Sequence, residues 1–180
     1  MKMYRVNFKN IKMKNIIIVL AIAVTTLTTS AIDKKGPITI KEIVGAYLQM
    51  KNAFTEDNST DAATAGKLLE TAFKNFDKSA LTLAQKKIYE DMEADAREHA
   101  EHIGKNAGNI AHQREHFELL SKDIYDLVKT FGSEQVLYKD FDSMYNKGKG
   151  AFWLSETKEI KNPYMGKAMM TSGSVKEEIK

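Results

Sequence analysis

Residues 109–131 read NIAHQREHFELLSKDIYDLVKTF. Within them Phe117, Leu120, Ile124, Leu127, Val128 and Phe131 recur at three- and four-residue steps, which sets their side chains on one face of an α-helix. Asn109 stands where an N-cap accepts hydrogen bonds from the unpaired amides of the first turn. Gly132 follows the last apolar residue and suits a left-handed helix end.

Three further helices precede this one. Thr82 is placed to cap a helix running to about residue 103, and GKNAGN at 104–109 ends it. Upstream, Ala65, Leu68, Leu69, Ala72, Phe73 and Phe76 form the buried face of a helix capped by Asn58 or Ser59. The first helix covers residues 39–55, with Ile40, Ile43, Val44, Tyr47, Leu48 and Phe54 as its stripe and Lys51 snorkelling from its edge. Short connections between helices of similar length favour antiparallel neighbours. The expected fold is therefore all-α, an antiparallel up-down four-helix bundle, with no strand alternation of useful length. Residues 133–180 are rich in Gly, Lys, Asn and Ser but keep Tyr138, Phe141, Tyr145, Phe152, Trp153 and Tyr164. Disordered tails are poor in aromatics, so this segment is expected to be irregular but ordered, wrapping the bundle and docking Trp153 into it.

The first 31 residues read as a secretion signal. Lys2, Arg5, Lys9, Lys12 and Lys14 make a basic start, IIIVLAIAV at 16–24 an apolar centre, and TTLTTSA at 25–31 a small-residue cleavage site near Ala31. Nine apolar residues are too few to span about 30 Å of hydrocarbon, so the expectation is an exported, periplasmic protein with no membrane attachment after cleavage. Residues 32–37 are then a linker and 38–180 one domain with one core. The chain of 180 residues has no cysteine, which excludes a disulfide framework, a thiolate metal site and a lipidated cysteine. Its net charge of +3 resides largely in the leader, so nucleic acid is not an expected partner. No phosphate loop, nucleotide fingerprint or GxSxG is present, and a non-enzymatic protein is expected.

All four histidines, His99, His102, His112 and His116, flank the turn between the third and fourth helices. At ~1.5 Å per residue, antiparallel pairing brings them to similar height. Taking Leu81, Ala84, Ile88, Met92 and Ile103 as inward on a helical wheel groups Asp95, His99 and His102 on one stripe. It sets His116 at the edge of the fourth helix's stripe and turns His112 outward. Two readings stay open. Asp95 with His99 can be a buried polar pair that fixes helix register. Alternatively Asp95, His99 and His102, helped by His116, form a metal site, since such donor sets hold zinc or copper. HQREH at 112–116 has the i, i+4 histidines of a zinc protease helix but lacks Glu directly after the first.

The chain also resembles a known family. Residues 109–131, YLQMKNA at 47–53, KGAFWLS at 149–155, EIKNPY at 159–164 and GSV at 173–175 resemble the domain of unknown function 3347. The resemblance implies an exported helical domain, found alone or attached to periplasmic adaptor subunits of heavy-metal efflux systems, with copper or a similar soft cation as ligand. The family pattern carries a Cys-Pro-Met before WLS and a Met three residues ahead of Cys-Gly near the end. Here Asp142 and Ser172 replace those cysteines, while Met144 and Met169 remain as a second candidate site. The expectation is a non-enzymatic periplasmic domain that binds copper or zinc, or serves as an efflux accessory, with an efflux adaptor or other envelope protein as partner. The alternative is a structural or protein-interaction module of the envelope that has lost metal binding.

Overall fold

The computed structural model describes residues 39–180. The proposed signal peptide and linker lie outside the described residues. The described chain is mostly helical and carries a small antiparallel sheet.

Four helices come first: α1 (Ile40–Thr55), α2 (Ser59–Lys74), α3 (Leu83–Lys105) and α4 (Ile110–Phe131). Their starts follow local capping chemistry. Thr39 with Glu42 and Thr82 with Gln85 close capping boxes, and the side chains of Asn58 and Asn109 accept from the amides of Asp61 and His112. Neighbouring helices run antiparallel. Phe73 lies opposite Tyr89, Tyr89 opposite Phe131, and Phe54 and Tyr47 both pack on Phe117.

Two faces differ from expectation. Leu68 is half exposed, and the inward side of α3 is Tyr89, Ala96, Ala100, Ile103 and Gly104 while Ile88 faces solvent. The reason is a close helix crossing. A Cβ on Gly66 would come within 2.8 Å of the Ala100 carbonyl oxygen and the Gly104 nitrogen, so small residues, which contribute little to a hydropathy stripe, form the contact.

The C-terminal segment corrects the all-α expectation. It forms strands β1 (Leu137–Asp142), β2 (Ala151–Ser155) and β3 (Ser174–Ile179), in the order β2-β1-β3 and antiparallel throughout. Alternation is hidden because β1 buries Leu137, Asp140 and Asp142 while leaving Tyr138 and Phe141 only partly covered. The sheet lays β2 against α1 and α4, and Trp153 is fully buried, as the docking expectation required.

A hydrogen-bond relay ties these layers. The Leu154 amide donates to the Tyr47 hydroxyl at 3.0 Å, Tyr47 lies 2.9 Å from Ser121 Oγ, and Ser121 donates to the Phe117 carbonyl at 2.8 Å. Because Ser121 spends its only proton on Phe117, Tyr47 is the donor to Ser121. Asn162, fully buried, is a second node. Its Oδ1 accepts from the amides of Tyr164 and Met165, and its Nδ2 donates to Asp142 and to the Ser172 carbonyl. Arg114 on α4 fastens the far end, donating to the carbonyls of Pro163 and Phe54 and to Asp57.

Lys51, expected at the stripe's edge, is instead 1 % exposed and lies 2.8 Å from Glu156. Nearby, Asp140 is fully buried with neither carboxylate oxygen hydrogen-bonded, and its cross-strand partner Trp153 also leaves Nε1 unpaired. Desolvation pushes the Asp140 carboxyl up to about 7, against the pull of Lys51 and with the repulsion of Glu156.

Two outcomes are expected. Tyr47→Phe leaves the Leu154 amide and Ser121 without their partner and costs about 1–3 kcal/mol in urea unfolding, with little change in the helical circular dichroism of the native state. Asp140 ionises near 3.8 when unfolded and only near about 7 when folded, so the folded state binds the extra proton and stability falls as pH rises across that window. The Tm of Asp140→Asn relative to wild type should therefore climb between pH 4 and pH 8; a pH-independent difference would show that the carboxyl is already ionised without penalty.

Candidate metal centre

Antiparallel packing of α3 on α4 brings the four histidines together on both sides of a four-residue connection. His99 Nδ1 lies 3.2 Å from His116 Nδ1. The His102 ring stacks on His116 at 4.3 Å between centroids and 19° between planes, and the His112 ring meets His116 edge-on at 4.7 Å. His102, His112 and His116 each offer a nitrogen, and the three nitrogens lie within 4.8 Å of one another. All three residues are half-buried. A tetrahedral zinc site has ligand nitrogens roughly 3.3 Å apart at a bond length of about 2.0–2.1 Å, so modest side-chain rotation closes the group around an ion.

His112 is the member that the wheel turned outward. Its ring reaches the group because His102 projects from the α3 face that the small-residue crossing rotates toward α4. The sequence signals for it were its place beside the turn, at the height of the other histidines, and the i, i+4 spacing to His116.

Each of the three rings has an acceptor or a second ring beside one nitrogen. His102 Nε2 is 3.9 Å from Glu98, His112 Nδ1 is 3.5 Å from Glu115, and His116 Nδ1 faces His99. Of these, the His99–His116 contact is a hydrogen bond, the kind that orients a ligating imidazole and fixes which nitrogen carries the free lone pair. Electrostatics also suit ligation. Desolvation, followed by the neighbouring His102, His112 and His99, lowers His116 to about 4, and desolvation lowers His99. Neutral imidazole is the form that binds metal.

The other expected ligands lie elsewhere. Asp95 is exposed and stands outside the three-nitrogen group, acting on His99 only through its charge. Asp123 on α4 was not anticipated: its Oδ2 is buried without a hydrogen-bond partner, and desolvation, then repulsion from Asp95 and Asp126, raises it to about 7. Met144 and Met169 are 56 % and 42 % exposed in the C-terminal segment. The residues beside Met144 pack on α4 through Asn146 to Glu118 and along a cleft with Ala111 and Arg114. At about 100° per residue, Ala111, Arg114 and Glu118 lie roughly 150° from His112 and His116, while Glu115 and Leu119 line the side of the cleft nearer the histidines.

A family model described as a protein of unknown function (DUF3347) matches residues 43–136, just over half of the chain. The chain belongs to this family. The DUF3347 span takes in all four histidines and most of the helical layer, ending just before β1. No curated protein and no solved structure matches the chain. Beyond the DUF3347 span, the two positions that the resemblance marks as exchanged cysteines meet: Ser172 Oγ donates to Asp142 Oδ2 at 2.8 Å.

Followed by imidazole proton and nitrogen NMR, His116 should remain neutral until the pH falls to about 4, well below an ordinary histidine near 6.5. Titration of His116 above pH 6 would contradict the desolvated packing described here.

Proposed function

We propose that this member of the family is a non-enzymatic metal-handling domain of the cell envelope, in which an up-down four-helix bundle presents a histidine site for copper or zinc. One observation carries the reading: imidazole nitrogens of three half-buried residues, from two packed helices, lie within 4.8 Å of one another. Rigid helices hold such donors better than loops, and the hydrogen bond between His99 and His116 orients one of the three rings. The leader-like residues 1–31 support an exported, periplasmic setting, with a heavy-metal efflux adaptor or another envelope protein as partner.

A second reading has an observation of its own. Asp142 and Ser172, in place of thiols, form a closed hydrogen-bonded pair with Asn162, which favours a structural or interaction module that has given up metal binding.

Calorimetric titration of the metal-free protein decides between them. Zn²⁺ or Cu²⁺ should bind one-to-one with submicromolar Kd, and His102→Ala/His116→Ala should abolish the heat while leaving the fold intact by circular dichroism. Silence in the wild type rejects the metal reading.

A further inference from the structure

The histidine group also carries information about which ion it takes. We infer that the site favours a divalent borderline cation, Zn²⁺ or Cu²⁺, over Cu⁺, because its donors are imidazoles alone and the two thioethers expected to serve, Met144 and Met169, belong to segments fastened beside a different face of α4. The inference rests on the metal-handling reading and narrows it.

The argument concerns donor chemistry and placement. Soft thiolates and thioethers select Cu⁺, whereas imidazole serves zinc, copper, iron and nickel alike and adds no preference for Cu⁺ over the divalent ions. The chain has no cysteine, so thioether sulfur is the soft donor left to it. Of the methionines expected to serve, Met144 precedes the turn Tyr145–Gly148, whose Asn146 is hydrogen-bonded to Glu118 at 3.1 Å. Met169 follows a 3₁₀ turn at Gly166–Ala168, and the Lys167 amide of that turn donates to Asp57 at 3.0 Å. Asp57 is in turn held by Arg114. Glu118 and Arg114 share the α4 face that lies roughly 150° from His112 and His116.

Both turns are held by more than one contact. Gly166 has φ +55° and a Cβ there would meet Asp57 at 1.9 Å, so the 3₁₀ turn is seated directly on the carboxylate. Asp142 accepts from the Met144 amide at 2.6 Å as well as from Ser172 and Asn162, which fixes the backbone leading into the Met144 turn. For Met144 or Met169 to join the imidazoles, its segment has to move from the Glu118 and Arg114 side of α4 toward the side of His112 and His116. The imidazoles, by contrast, need only side-chain rotation. The resulting donor set is three nitrogens with an open position for water or a further ligand, the arrangement that zinc and cupric ions accept.

The test uses the metal-free protein with three ions: Zn²⁺, Cu²⁺, and Cu⁺ supplied without oxygen as its bicinchoninate complex. Zn²⁺ and Cu²⁺ should each bind one-to-one and displace one another, Cu²⁺ more tightly by ~10-fold or more, as the stability order of divalent ions requires. Cu⁺ should stay with the chelator. Met144→Leu/Met169→Leu should leave both divalent affinities within about two-fold, because truncating exposed thioethers removes no donor. Withdrawal of Cu⁺ from bicinchoninate in one-to-one ratio, or a ~10-fold loss of divalent affinity in the methionine variant, overturns the inference while leaving the metal reading standing. Failure of all three ions to bind removes both.

Discussion

The run of hydrogen bonds from the Leu154 amide through Tyr47 and Ser121 to the Phe117 carbonyl is what makes one molecule of the helices and the sheet. A strand that ends against a helical layer leaves backbone amides facing apolar side chains, where an unpaired donor is expensive. Tyr47 answers that demand from α1, and passes its own proton to α4. The ring stacks on Phe117 at 5.2 Å, so the same side chain supplies apolar contact and polar closure. Trp153 and Tyr164 then fill the space beside it, with the Tyr164 hydroxyl donating to the Phe152 carbonyl at 2.6 Å. Around this point the four helices, β2 and the final loops share one core.

What was legible in the sequence followed locality. Thr39, Asn58, Thr82 and Asn109 announce helix starts because a cap acts on amides two or three residues away. The strands were not legible because β1 buries carboxylates where a strand pattern calls for apolar residues, and both Asp140 and Asp142 are stabilised or penalised by groups far along the chain. The inner face of α3 was misjudged for a related reason: Ala96, Ala100 and Gly104 are chosen by how closely α2 approaches, and hydropathy says little about distance.

That close crossing also shapes the histidine group. Once Gly66 meets Ala100 and Gly104, α3 is rotated so that His99 and His102 lie along the seam with α4 rather than under the core. The group is therefore half-buried, dry enough to keep His116 neutral and open enough for exchange with solvent. Asp95, one turn before His99 and outside the seam, remains in water. Sequence spacing placed the four histidines at one height; which of them come together, and that Asp95 does not join them, depended on helix rotation.

The contact between Ser172 and Asp142 has a different significance when the surroundings are considered. Where two thiols at these places would answer to oxidants, reductants and stray thiol-reactive metals, a hydroxyl resting on a carboxylate is indifferent to all of them. The last eight residues of the chain, including the whole of β3, are thus tethered by a link that no change of electron supply can open or close.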